Sequence, residues 1–204
     1  MISRWVRTWY AAVLEPLLHF MMRLGITANM LTIASLFVVA LAGIMFALGK
    51  VILGAWILML GGFLDGLDGS LARFSGHKSS FGGFLDSICD HCGDFAIYLG
   101  LLILYIRRDS YLEIILIFIA MFASVFGSHV RSRAGMLAID AKTVGLFTRF
   151  ERIFLIFIFV LLGKVVIALW GLAIFNSISA LQRVIYTIHA YHDPKTYIQN
   201  QETL

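Results

Sequence analysis

The sequence predicts an all-α integral membrane protein with a single domain. Of its 204 residues, 60% are hydrophobic and 14% are charged, and the mean hydropathy of +0.90 lies far above that of soluble chains. Six apolar segments have the length of membrane-crossing helices. They cover about 30–48, 51–66, 84–106, 111–130, 152–163 with an extension to about 168, and 166–190.

Residues 1–24 precede these segments, and their pattern predicts an amphipathic helix at the membrane interface. No small-residue cleavage site follows an apolar core here, so we do not predict a signal peptide. A helix on the soluble side that packs against the bundle fits the pattern equally well. The apolar side chains of this helix are Trp5, Trp9, Tyr10, Leu14, Leu17, Leu18 and Met21.

The six apolar segments form a predicted six-helix bundle over residues 25–192, and a polar tail follows over 193–204. The second segment is short unless its helix continues through the acidic residues that follow it. The fifth and sixth segments meet at a predicted hairpin at Gly163 and Lys164.

Basic residues in the connections predict the orientation of the bundle in the cell membrane. Lys50, Arg107, Arg108 and Lys164 lie on one side, and the remaining twelve of the sixteen lysines and arginines share the other side with both termini. Because cytoplasmic loops are enriched in lysine and arginine, this second side is predicted to be cytoplasmic. The net charge of +4 is modest, and no basic surface with interleaved aromatic residues indicates a nucleic-acid partner.

Four aspartates between residues 65 and 90 form two pairs at helical spacing. Asp65 and Asp68 are three residues apart, and Asp86 and Asp90 are four apart, so each pair shares one face of a helix. Carboxylates crowded at the edge of a bilayer repel one another. A divalent cation relieves this repulsion, and the oxygen ligands suit Mg²⁺ or Mn²⁺, with Ca²⁺ as a competitor and room for two ions.

Small residues around these acids leave the helix surfaces bare, and Arg73 offers donors that suit a phosphate. The spacing resembles the signature of the CDP-alcohol phosphotransferase family. The positions that carry the resemblance are Asp65, Asp68, Gly69, Ala72, Arg73, Gly82, Asp86 and Asp90. It implies a six-helix, homodimeric membrane enzyme that transfers a phosphate-bearing group from a CDP-linked donor to an alcohol and releases CMP.

The same resemblance implies roles for individual residues. Asp65, Asp68, Asp86 and Asp90 would hold the metal ions, and Asp90 is also the best candidate for the general base. Contact with a second metal ion would weaken Asp90 as a base, and the sequence leaves these two roles open. The CDP group would contact Asn29, Thr32, Asp68, Gly69, Ala72, Arg73, Ser79 and Gly82. Helix capping alone also explains one of Asn29 and Thr32.

A second, basic cluster follows the fourth apolar segment. Its cations are Arg131, Arg133, Lys142, Arg149 and Arg152. Their spacing resembles the segment with which phosphatidylinositol-phosphate synthases of the family bind the phosphate of the acceptor. The resemblance implies transfer from CDP-diacylglycerol or an archaeal counterpart to inositol phosphate. Glycerol 3-phosphate would require similar charges, and the enrichment of cations on the cytoplasmic side explains the cluster without a ligand.

Two further interpretations of the polar residues stay open. A cation transporter also places carboxylates inside a membrane, although Arg73 beside the path would oppose the passage of cations. Cys89 and Cys92 have the spacing of half a zinc site, but a second pair of ligands is missing from the sequence. We therefore interpret the cysteines as small packing residues, and Asp94 as an acid that packs or supports Asp90.

Overall fold

The computed structural model describes residues 14–137, 139–141 and 144–192, and the secondary structure in these ranges is helical. The helices are α1 (Glu15–Arg23), α2 (Ala28–Ala47), α3 (Val51–Phe74), α4 (Ser80–Ile106), α5 (Tyr111–Met136), α6 (Arg149–Leu161) and α7 (Val165–His192). The predicted tail and most of the predicted interfacial helix, including Trp5, Trp9 and Tyr10, lie outside the described residues.

Five of the described helices, α2 to α5 and α7, are long and apolar enough to cross a membrane. Large apolar side chains such as Phe37 and Phe122, with 69% and 67% of their surface exposed, lie on the outside of the bundle. Such exposure suits a lipid environment. The prediction of an all-α membrane protein is confirmed, whereas the count of six crossings and the interfacial position of residues 1–24 stay predictions.

The ends of the helices follow local sequence signals. Thr27 and Ser79 cap α2 and α4, and each accepts a hydrogen bond from a backbone N–H three residues later. Thr148 and Glu151 form a capping box that starts α6 at Arg149. Gly163, with a φ of 68°, makes the turn between α6 and α7, so the predicted hairpin is confirmed.

The helices α2 and α4 cross in close contact at glycines. A Cβ atom added to Gly100 would lie 2.0 Å from the carbonyl oxygen of Gly43, and one added to Gly43 would lie 2.3 Å from the carbonyl oxygen of Ala96. The two backbones therefore touch, as small residues permit in membrane helices. Asn29 also lies close to Gly82, so α2 and α4 run parallel and begin at the same end of the bundle.

The helix α3 runs antiparallel to α2 and α4. It continues through Asp65 and Asp68 to Phe74, so the second apolar segment is part of a longer helix that includes the acidic residues. The short helix α6 lies along it. Ile153 packs on Gly62, and the rings of Phe157 and Trp56 are 4.9 Å apart. This packing brings the first turn of α6, with Arg149, beside Asp65.

Candidate active site

Three aspartates from two helices meet at the end of the bundle where α3 ends and α4 begins. Carboxylate oxygens of Asp65, Asp68 and Asp86, one from each, lie within 4.8 Å of one another. Asp68 is buried, with 6% of its surface exposed, and its Oδ2 accepts a 2.6 Å hydrogen bond from Thr32 Oγ1. Three hard oxygen ligands at this separation fit a divalent cation.

Asp90, one turn further along α4, is paired with an arginine and is not part of this group of three. Arg149 donates from Nη1 to Asp65 Oδ1 at 2.6 Å and also to Asp90 Oδ1. Arg149 Nε lies 3.6 Å from Asp94 Oδ1, and Arg152 Nη1 lies 2.9 Å from Asp94 Oδ2. The guanidinium of Arg149 therefore lies among three carboxylates, those of Asp65, Asp90 and Asp94, whose negative charges it partly balances.

A hollow of about 250 Å³ opens between the ends of α2, α3 and α4; we name it the α2–α4 hollow. All eight residues predicted to contact CDP line it: Asn29, Thr32, Asp68, Gly69, Ala72, Arg73, Ser79 and Gly82. A Cβ atom on Gly82 would lie 3.1 Å from Ser79 Oγ and 3.3 Å from Asn29 Oδ1. A larger residue at position 82 would thus crowd the polar wall.

A second space of about 250 Å³, which we name the basic cavity, lies between α4, α5, α6 and α7. Its arginines are Arg131, Arg149, Arg152 and Arg183. Arg133 is exposed, and its Nη1 lies 3.5 Å from Met136 Sδ. Arg133 does not line the basic cavity, and Lys142 lies outside the described residues.

Arg183 was not among the residues predicted from the sequence. It lies within the sixth apolar segment, and its Nε donates a 2.9 Å hydrogen bond to the carbonyl oxygen of Val144. A signal existed, because an arginine inside an apolar segment is costly unless it faces a polar interior. Cations are also enriched on the cytoplasmic side for reasons of topology alone, so Arg183 did not stand out from the other arginines.

A larger cavity of about 680 Å³ shares lining residues with each of the two smaller spaces; we name it the central cavity. It shares Gly83 and Asp86 with the α2–α4 hollow. With the basic cavity it shares Asp90, His91 and Arg131. The aspartates of α4 therefore form the boundary between a hollow on one side and a cluster of arginines on the other.

The two cysteines stay apart from this arrangement. Cys89 is buried, Cys92 is exposed and both are free thiols. The group of possible metal ligands found in the described part of the chain contains the three aspartates and neither cysteine. His91 between them lies 3.2 Å from Ser128 Oγ and joins α4 to α5.

Comparison with known proteins gives consistent matches over most of the chain. A family model described as CDP-alcohol phosphatidyltransferase matches residues 25–185. The archaetidylinositol phosphate synthase of Pyrococcus horikoshii is 39% identical over 161 residues, which are 79% of this chain and 83% of that protein.

Two crystal structures of the phosphatidylinositol phosphate synthase of Mycobacterium tuberculosis share the fold. The structure with CDP-DAG bound has a TM-score of 0.80 at 24% identity and covers 91% of this chain and 97% of its own. The structure in complex with manganese and citrate has a TM-score of 0.79 at 24% identity and covers 90% and 91%.

Proposed function

The chain belongs to the CDP-alcohol phosphatidyltransferase family, and from that premise we propose that it transfers a phosphatidyl-type group from a CDP-linked lipid to inositol phosphate and releases CMP. The observation that carries the proposal is the placement of Asp86 and Asp90. These acids lie at the boundary between the α2–α4 hollow, the central cavity and the basic cavity. A donor and an anionic acceptor bound on either side would meet there.

The α2–α4 hollow is the proposed site of the CDP group. Arg73 supplies donors for the pyrophosphate, while Gly69 and Gly82 let the nucleotide approach the helices closely. Asp65, Asp68 and Asp86 would hold a divalent cation, Mg²⁺ or Mn²⁺. When bound, the metal would neutralise the pyrophosphate and stabilise the CMP leaving group.

The basic cavity is the proposed site of the acceptor phosphate. Arg131, Arg149, Arg152 and Arg183 line it, and several arginine forks suit a dianionic phosphate. The sequence also predicts that Arg133 and Lys142 bind this phosphate. Arg133 does not line the basic cavity, and the role of Lys142, which lies outside the described residues, stays a prediction. Part of the arginine charge is balanced by Asp90 and Asp94, so binding of the acceptor would rearrange these pairs.

Asp90 is the proposed general base. It lines both the central and the basic cavity, where the acceptor hydroxyl would lie. As that oxygen attacks the phosphorus that carries the lipid, the hydroxyl proton passes to the carboxylate, and the bond from this phosphorus to the CMP oxygen breaks. Arg149 holds the Asp90 carboxylate in place, which keeps the base oriented.

The packing of α6 supports six membrane crossings. α6 starts beside Asp65 and passes Gly62 and Trp56 of α3, so its 13 residues follow α3 back toward the start of that helix. At ~1.5 Å per residue it is about 20 Å long. Because a bilayer core is ~30 Å thick, α6 completes a crossing only if the end that carries Arg149 lies below the membrane surface. We propose that the active site is recessed into the cytoplasmic side of the cell membrane, in a homodimer such as the family resemblance implies.

Release of CMP from purified protein tests this function. With CDP-diacylglycerol or its archaeal counterpart and Mg²⁺ or Mn²⁺, we expect CMP in the presence of inositol phosphate and none with free inositol. Asp86→Asn should abolish release, and Asp109→Asn, which removes an acid from the opposite side of the bundle, should leave it unchanged. Faster CMP release with glycerol 3-phosphate than with inositol phosphate would identify glycerol 3-phosphate as the acceptor instead. Ion flux in liposomes without any CMP release would favour a transporter.

A further inference from the structure

Asp94 lies on the same face of α4 as the proposed catalytic aspartates but in a different environment. Asp86, Asp90 and Asp94 follow one another at intervals of four residues. The side chain of Asp94 is 13% exposed, compared with 31% for Asp90, and of the three spaces described above it lines only the basic cavity. It is not part of the group of possible metal ligands found in the described residues. The proposed chemistry therefore gives this acid no role.

The Asp94 carboxylate is the point at which two arginines of α6 meet. Its Oδ2 lies 2.9 Å from Arg152 Nη1, and its Oδ1 lies 3.6 Å from Arg149 Nε. Ser124 of α5 donates a 3.2 Å hydrogen bond to the same Oδ2 and accepts one from Arg152 Nη1. Pairs with little access to water are hard to separate, because separation leaves a buried charge without a partner. Asp94 thus holds both arginines in place relative to α4 and α5.

The guanidinium of Arg149 lies along α4 between Asp90 and Asp94. A Cβ atom added to Gly93 would lie 3.0 Å from Arg149 Nη2, so the guanidinium passes over α4 at a residue without a side chain. Its Nη1 contacts Asp65 and Asp90, and its Nε faces Asp94. Asp94 therefore fixes the end of the guanidinium that is nearest the stem of the side chain.

The same two arginines keep donors that the described part of the chain does not use. The Nε atoms of Arg149 and Arg152 are buried and have no hydrogen-bond acceptor among the described residues. The 3.6 Å between Arg149 Nε and Asp94 Oδ1 is too long for a hydrogen bond. A buried N–H without an acceptor is unfavourable. Unused donors on side chains that line a cavity indicate an arrangement for an anionic ligand rather than for stability alone.

We propose that Asp94 is a positioning residue that holds Arg149 and Arg152 in the orientation that binds the acceptor phosphate. This inference rests on the proposed function, and Asp94 acts in it through the arginines without contact with a substrate. Among the ion pairs that acceptor binding would rearrange, those with Asp65 and Asp90 are more exposed. They would open first, while the Asp94 pairs keep the arginines in place. Arginines ordered in advance lose less conformational entropy when the phosphate binds.

The sign of the change in KM tests the inference, because charge and position predict opposite effects. Asp94→Asn removes a negative charge beside an anion site, and charge alone would lower the KM for inositol phosphate. Loss of positioning should raise this KM about tenfold, because two long side chains must then be ordered on binding. The kcat at saturating inositol phosphate and the KM for the CDP-lipid should stay within about twofold of the parent, because the bound phosphate then orders the arginines itself. An unchanged or lower KM for inositol phosphate would overturn the inference.

Ser124→Ala is an independent test that leaves every charge in place. It removes the hydroxyl that joins Asp94 to Arg152, so the KM for inositol phosphate should rise about threefold at unchanged kcat. Ser177→Ala is the matched control and should match the parent, because Ser177 donates its hydrogen bond within α7, to the carbonyl oxygen of Ala173. Equal KM values for the two serine variants would contradict the inference. Should Asp94→Asn not fold, Ser124→Ala decides the outcome.

Calorimetry with inorganic phosphate separates this inference from the proposed function. Inorganic phosphate probes the arginines without any transfer reaction, and the Asp94→Asn variant of the full chain should bind it about tenfold more weakly than the parent does. If the parent releases no CMP with inositol phosphate, the proposed function fails. If the parent is active and Asp94→Asn matches it in KM and in affinity for inorganic phosphate, only the role of Asp94 fails.

Discussion

Replacing Arg149 with methionine removes the cation that bridges Asp65 and Asp90 and leaves their carboxylates close together without a partner. The Arg149 side chain is 13% exposed, and those of Asp65 and Asp90 are 23% and 31% exposed. Loss of one partner from a fully buried ion pair costs about 3–5 kcal/mol. Because water reaches these carboxylates, we expect Arg149→Met to lower the free energy of unfolding by about 2–3 kcal/mol.

Thermal unfolding in detergent without divalent cations measures this loss. For a chain of this size, about 1 kcal/mol corresponds to roughly 2–4 °C in Tm, so the expected decrease is about 5–10 °C. Saturating Mg²⁺ or Mn²⁺ should recover much of it, because the ion replaces the missing positive charge between the carboxylates. Arg107→Met is the matched control, since Arg107 makes one exposed hydrogen bond to Ala47 on the opposite side.

A double variant identifies the cause of the loss. Adding Asp90→Asn to Arg149→Met removes one of the unpaired charges, so the double variant should be more stable than Arg149→Met alone when no divalent ion is present. The reasoning is refuted if Arg149→Met unfolds at the parent temperature in metal-free buffer. It is also refuted if the decrease in Tm is the same with and without Mg²⁺, because the loss is then one of packing.

Three further predictions follow from the geometry. Gly100→Ala should abolish folded, monodisperse protein in size-exclusion chromatography, because its Cβ would lie 2.0 Å from the Gly43 carbonyl oxygen. Gly135→Ala is the control and should match the parent, because its Cβ would meet no atom within 4 Å. Thr32→Val removes the hydrogen bond to Asp68 and should raise the KM of the CDP-lipid about tenfold, while Thr32→Ser should restore it. Chelation with EDTA should stop CMP release, and Mg²⁺ or Mn²⁺ should restore it.

The acidic site could be predicted from the sequence because it depends on local geometry. Spacings of three and four residues fix a common helix face whatever the rest of the fold does, and the structure brings Asp65, Asp68 and Asp86 together. Most residues around the α2–α4 hollow lie within a few helical turns of these acids, and Asn29 and Thr32 come from the start of α2. Their convergence required only that three consecutive helices meet at one end, as neighbouring helices in a bundle do.

The basic cluster was harder to predict because it depends on contacts distant in sequence. Arg149 and Asp65 are separated by 84 positions, and no spacing pattern in the sequence predicts that these two side chains form a pair. For Arg133, helical geometry explains why the side chain does not line the basic cavity. It lies two residues after Arg131 on α5, and such a spacing places the two side chains on nearly opposite faces of a helix. The sequence pattern predicts one group of cations, although helical geometry divides it.

The backbone contact between α2 and α4 at Gly43 and Gly100 has a consequence for how headgroup preference changes among relatives. Helices in contact at these glycines cannot tilt or slide without a steric clash, so the half of the enzyme that contains the proposed CDP site is fixed in shape. Room for a different alcohol must come from the opposite half, where side chains and the 139–141 segment can be exchanged while α2 and α4 stay intact. Divergence and redesign of the transferred product should therefore concentrate on that half.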